Sequence, residues 1–307
     1  MTLPNVIGLG FERSGTTSLH YSLAQHPEVL VSSRKEPNHW LFDDCGVPPE
    51  SMSLQQIDLM QKRSGRTRAA YETLFSGAGP QHKAIVDFSP SYLRFPHDVA
   101  PRLCAELPDV KLIVVIRQPL EHARSVLGVW LGRPPSLAEL YGALEHNRPG
   151  PHGEPGLRDH GDYAGALRPF FEWFPHSQIK ILLFDRLEID LLDDLQRFIG
   201  VTPIRLPVER LNGSGPAKLG ALRQIINLAK HVASAVLPEP AARRLRPLGH
   251  RLQAANTIQV APPMAVRTRI ELTDEFYGER IRDLERLTRL DLTHWRNGHE
   301  APRRAVA

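Results

Sequence analysis

Apolar residues in this chain fall in short, unbroken runs at 6–9, 29–31, 84–86, 112–116 and 179–184. Runs of this length, rich in Val, Ile and Leu, predict strands buried on both faces. Patterns of helical period lie between most of them. Alternation of this kind predicts an α/β fold, with a mostly parallel central sheet flanked by helices. Within 161–175, Tyr163, Leu167, Phe170, Phe171 and Phe174 fall along one helical face, a core-packing helix. Residues 185–201 read as a strand end and then a helix closed by Gly200. A last helix covers about 273–290. Segment 146–162, HNRPGPHGEPGLRDHGD, reads as a long loop suited to covering a site, with solvated histidines that lack metal-ligand spacing.

The first strand leads into GLGFERSGTTS at 8–18. Strand, glycine turn and helix start direct several backbone N–H groups at one point, and the helix dipole adds positive potential there. Gly10 and Gly15 have the spacing of the two glycines of a phosphate-binding P-loop. Ser14, Thr16, Thr17 and Ser18 add hydroxyl donors, and Arg13 adds a permanent charge with a planar fork. Thr16 stands where a nucleotide triphosphatase carries its lysine, which argues against ordinary ATP or GTP hydrolysis. The plainer alternative is a surface turn with a Ser/Thr helix cap.

A second such segment is KLIVVIRQPLEHARSVL at 111–127. Arg117 follows the strand, and Pro119 opens the next helix, where its missing N–H costs little. Ligands of open parallel sheets bind at that edge. Read without context, Arg117 is equally a helix-start salt bridge and Ser125 an ordinary helix serine.

Together these residues resemble sulfotransferases that use 3′-phosphoadenosine-5′-phosphosulfate (PAPS). ERSGTTSL resembles the family's 5′-phosphosulfate loop, and Arg117 with Ser125 resembles its 3′-phosphate pair. KEPNHW at 35–40 resembles the segment in which a glutamate acts as base toward the acceptor hydroxyl, which implies that role for Glu36. VDFSPSYL at 86–93 and LDLTHW at 290–295 resemble further motifs of the family, in order along the chain. The resemblance implies a single domain over 1–307. It comprises an α/β core of P-loop type to about 205, then a cofactor-closing loop and a helical C-terminal portion. It also implies Glu36 and Arg13 in catalysis. Arg13, Ser14, Gly15, Thr16, Thr17, Ser18, Arg117, Ser125 and Lys218 are implied around PAPS, with 3′,5′-ADP as product. Lys35, His39, Ser89 and Tyr92 are implied at the acceptor. No metal is implied. Asp87 stands for the family's usual glutamate, and Phe88 replaces the lysine of the heparan enzymes.

Composition narrows this reading. A net charge of +4 suits an anionic cofactor but is no nucleic-acid signature. Two cysteines, Cys45 and Cys104, imply no disulfide framework. Neither a leader nor a spanning apolar run is visible, so a cytoplasmic protein of bacterial type is expected. The acceptor would be a small molecule or glycan, and a lipid-linked one would be met peripherally. Two other classes compete: a P-loop small-molecule kinase, which wants a lysine at Thr16, and a non-catalytic nucleotide-binding protein.

Overall fold

The computed structural model describes residues 2–42, 47–49, 52–61, 67–151, 153–187, 193–206, 229 and 264–298. Lys218 and Cys45 lie outside them, as do residues 210–220, where the cofactor-closing loop is expected.

Five parallel strands form one sheet: β1 (Val6–Gly10), β2 (Val29–Val31), β3 (Ala84–Phe88), β4 (Lys111–Ile116) and β5 (Ile179–Leu183), in the order β2-β3-β1-β4-β5. These match the five apolar runs to within a residue or two. The helices are α1 (Thr16–Leu23), α2 (Leu54–Gln61), α3 (Arg68–Thr73), α4 (Pro96–Glu106) and α5 (Pro119–Leu131). They continue with α6 (Leu137–Glu145), α7 (Tyr163–Trp173), α8 (Asp194–Ile199), α9 (Val266–Thr288) and α10 (Thr293–Arg296).

Side chains alternate across each strand, so every strand feeds two cores. Leu112, Val114 and Ile116 of β4 pack on one face with Leu103, Leu120, Leu167, Phe170 and Ile281 of the helices. Ile113 and Val115 pack on the other, with Leu19 and Leu23 of α1 and Leu195 and Ile199 of α8. Tyr163, Leu167, Phe170 and Phe174 are buried, as the spacing predicts. Gly200 ends α8 in the left-handed region, with φ 85°.

The connection out of β1 runs toward β2, and that out of β4 runs toward β5. Their departure in opposite directions opens a crevice beyond the carboxyl ends of β1 and β4, where such sheets bind ligands. Both arginine-bearing segments begin there.

The 146–162 loop differs from the reading of it as a solvated cover. Asn147 donates to the Asp159 carboxylate (2.9 Å) and accepts from the Arg158 backbone N–H (2.8 Å). Arg280 of α9 pairs with Asp159 at 3.1 Å. Leu157 is fully buried, and His160 is buried against the rings of Phe11, His122 and Trp130. Burial pushes the His160 imidazole down to about 2, so this histidine is not a solvated one. His146 is exposed, as expected.

Candidate functional site

Loop 10–18 turns tightly because its backbone takes conformations that most side chains resist. Gly15 caps α1 with φ 90°, and a Cβ there would lie 2.6 Å from the Phe184 ring and 2.8 Å from Leu187. A Cβ at Gly10 would stand 3.1 Å from the Val115 carbonyl of β4. Glycine is therefore needed at both positions. Arg13 also has a positive φ, 73°. Such strain in a non-glycine residue costs about 1–3 kcal/mol and tends to mark functional loops.

The turn brings the two sequence segments together. Arg13 Nε donates to Ser125 Oγ at 3.2 Å, and Arg117 Nη1 donates to the Arg13 carbonyl at 3.3 Å. The Arg117 guanidinium lies 4.7 Å from the centre of the Phe184 ring, just beyond β5. Burial lowers the Arg13 guanidinium below its ordinary value. Thr16, Thr17 and Ser18 are buried in the first turn of α1, whose N–H groups have no acceptor inside the helix. Ser14 is completely buried, and its hydroxyl has no hydrogen-bond partner among the described residues. An unmet buried hydroxyl costs about 1–3 kcal/mol. Two arginines, an orphaned hydroxyl and a helix start converge, and they fit an anionic nucleotide with phosphates at two points.

The second half of the site hangs from β3. Asp87 is fully buried and accepts from three hydroxyls: Tyr71 (2.8 Å), Tyr92 (2.9 Å) and Ser89 (2.8 Å). Those hydroxyls in turn accept from the 36–40 loop. Ser89 Oγ takes the Asn38 backbone N–H at 3.1 Å, and Tyr92 takes that of Trp40 at 3.4 Å. Tyr71 takes the Trp40 indole N–H at 3.2 Å. One carboxylate thus anchors the loop through three relays. Burial pushes the Asp87 carboxyl up to about 6; the three hydroxyl donors oppose that rise, and Glu36 adds to it.

Glu36 sits on this loop at φ 59°, its N–H bonded to the Phe88 carbonyl at 3.1 Å. Its half-buried carboxylate pairs with Lys35. His39 stacks on Tyr71, with centroids 4.2 Å apart and planes 11° from parallel. Trp40 is buried as packing. Ser89 and Tyr92, placed at the acceptor by sequence, are wholly buried with their hydroxyls on Asp87, so they support the loop from beneath.

Several residues of the site carry no sequence signal on their own. The Tyr163 hydroxyl donates to the Arg117 carbonyl at 2.8 Å. His122 Nε2 lies 2.7 Å from the Glu12 carbonyl. Arg94 pairs with Glu12 at 2.7 Å, beside a cleft of about 700 Å³ between 47–49 and the start of α4. Gln118 reaches Thr273 of α9 at 2.8 Å and so ties the C-terminal helices to the second arginine segment.

Residues 4–132 match the model described as the sulfotransferase family. That stretch holds β1 to β4, both arginine segments and the Glu36 loop. Over that stretch the chain is similar to the sulfotransferase family. The "Membrane-associated sulfotransferase kil1" of Dictyostelium discoideum is 30% identical over 128 residues, 41% of this chain and 22% of that protein. The human "Bifunctional heparan sulfate N-deacetylase/N-sulfotransferase 3" is 23% identical over 212 residues, 66% of this chain and 23% of that protein. The chain therefore spans less than a quarter of the length of either curated relative. In fold it is similar to a sulfotransferase from Alicyclobacillus acidocaldarius, with a TM-score of 0.66 at 23% identity, covering 96% of this chain and 100% of that one. Among the described residues, no helix is long and apolar enough to cross a membrane.

Proposed function

We propose that this protein is a sulfotransferase that moves a sulfuryl group from PAPS to a hydroxyl of a carbohydrate-like, glycolipid or secondary-metabolite acceptor, with Glu36 as base. One observation carries the reading: Arg13 and Arg117, from separate strand ends, interlock over a loop whose Ser14 hydroxyl is buried and unmet. Arg117 and Ser125 would hold the 3′-phosphate, and Arg13, Ser14 and the first turn of α1 the 5′-phosphosulfate. PAPS supplies an activated sulfuryl group on a good leaving group. Arg13 and the loop N–H groups would meet charge that builds on the leaving phosphate. Glu36 takes the acceptor hydroxyl's proton as the new O–S bond forms. Lys35, paired with Glu36, would orient that carboxylate. The kinase alternative lacks a lysine at Thr16.

Thermal melting tests the donor site. 3′,5′-ADP raises the melting temperature, and ADP with Mg²⁺ does so much less, because ligand binding to the native state stabilises it by mass action. The reverse ranking favours a kinase. Intact-mass screening of pooled metabolites then identifies the acceptor by the gain of one sulfuryl group, and turnover persists in excess EDTA. With an acceptor in hand, Glu36→Gln leaves 3′,5′-ADP affinity within about twofold and lowers turnover by about 10² or more. Near-normal turnover moves the base elsewhere. His39 is then the next group to test, since both Asp87 oxygens are already taken by hydroxyls.

A further inference from the structure

Behind the phosphate loop lies a buried polar cluster that the proposed chemistry does not use. His122, at the end of the first turn of α5, is fully buried between the rings of Phe11 (6.0 Å) and Tyr163 (6.1 Å). Its Nε2 is 2.7 Å from the Glu12 carbonyl. Both ring nitrogens face a carbonyl, which can only accept; the shorter contact, to Glu12 O, assigns the single proton of a neutral ring to Nε2. Nδ1 faces the Tyr163 hydroxyl and the His160 carbonyl, each at 3.2 Å. Burial, reinforced by the Arg117 and Arg94 charges, pushes the imidazole down to about 4, against the pull of the two carbonyls. The ring is therefore neutral at physiological pH.

Three carbonyls of the donor site, two of them successive, each receive a donor. Glu12 O takes the His122 ring N–H, Arg13 O takes the Arg117 guanidinium, and Arg117 O takes the Tyr163 hydroxyl. In an anion cradle a carbonyl oxygen is the wrong group to present, because its partial negative charge repels the ligand. A peptide plane whose C=O is fixed on one side turns the following N–H to the other. The plane fixed at Glu12 O is the one whose N–H belongs to Arg13, the strained residue of the loop.

We propose that His122 is a positioning residue of the donor pocket: its Nε2–H holds the Glu12 carbonyl away from the anion and so sets the Arg13 peptide and guanidinium to face it. This rests on the reading of loop 10–18 as an anion cradle. Through the Nδ1 face and Tyr163, the same cluster couples the cradle to α7 and to the 146–162 loop.

His122→Phe keeps a ring of similar volume and removes the donor. His122→Gln keeps an N–H that can reach the same carbonyl. Titration calorimetry with 3′,5′-ADP is expected to show binding about five- to tenfold weaker in the Phe variant, the size of one buried neutral hydrogen bond. The Gln variant is expected within about twofold of wild type. A purely structural role would change melting temperature in both variants and leave affinity alone. Equal affinity in wild type and His122→Phe overturns the proposal, as does equal weakening in Phe and Gln variants that melt alike. Absence of any 3′,5′-ADP binding by wild type would instead overturn the cradle reading beneath it. If the Phe variant does not fold, ¹⁵N NMR of the wild type decides. A neutral, Nε2-protonated His122 that does not titrate between pH 5 and 8 is expected. A neutral ring protonated on Nδ1, with Nε2 bare toward Glu12, overturns the proposal.

Discussion

Replacing Asp87 by asparagine should make the protein's stability respond differently to pH. Asp87 is ionisable, fully buried and ringed by hydroxyls, with no cation paired to it among the described residues, so its charged form is the costly one. Its folded value of about 6 stands above the ordinary 3.8. A carboxyl raised on folding contributes stability in full below its unfolded value and loses it as pH rises through the folded one. The gap corresponds to roughly 3 kcal/mol between the acid and neutral limits. Between pH 5 and pH 7.5 the linkage relation gives a loss of about 1.4 kcal/mol for this group. Asparagine keeps the shape and one acceptor oxygen but does not titrate. Urea unfolding of both proteins at the two pH values isolates the effect, since all other groups cancel in the comparison. Relative to Asp87→Asn, the wild type should lose about 1.4 kcal/mol on going from pH 5 to 7.5. A difference that stays constant with pH, or one that grows in favour of the wild type, would show that the three hydroxyls outweigh burial and would refute the reasoning.

Three further outcomes are expected. Arg117→Ala should weaken 3′,5′-ADP far more than 5′-AMP, by about 1.5–3 kcal/mol for a charge-assisted contact, as read by calorimetry; equal losses would remove Arg117 from the 3′-phosphate. Ser14→Ala should leave the melting temperature unchanged or raised, because the lost hydroxyl is unmet in the fold, while weakening 3′,5′-ADP binding; a lower melting temperature with unchanged affinity contradicts its assignment to the ligand. Gly15→Ala forces a Cβ into Phe184 and Leu187 at positive φ and should cost about 1–3 kcal/mol in denaturant unfolding; a neutral result would mean that the loop has another conformation.

Much of the frame was legible in sequence. The strands showed because a parallel sheet buries both faces, which leaves unbroken apolar runs such as 112–116. Arg13 and Arg117 showed because each follows such a run at the edge where ligands bind. The partnerships behind them were hidden. Asp87 with Tyr71, His122 with Glu12, and Arg94 with Glu12 join residues far apart in the chain, and only the strand order brings them together. The spacing of Tyr163 announced a core residue, and the residue is buried in the core; its hydroxyl has a second task that helical periodicity does not encode. His160 misled because a glycine- and proline-rich segment is usually solvent-facing, whereas here Leu157 and Arg280 fasten it to the body of the protein.

The strand order also carries a consequence for how the molecule is made. Strand β1 is the first to leave the ribosome, yet its neighbours are β3, where Ile7 pairs with Asp87, and β4, where Ile7 pairs with Leu112. Loop 10–18 therefore has no frame until the chain has been synthesised past Ile116. Sheets that depend on such distant pairings fold slowly, because loop closure precedes any gain from contact. During that interval the apolar 6–9 segment is a candidate for chaperone capture. On the proposed reading, the ability to hold a nucleotide would arrive late and all at once, so nascent chains halted before β4 should be unable to retain 3′,5′-ADP, and chains released after β5 should be the first to do so.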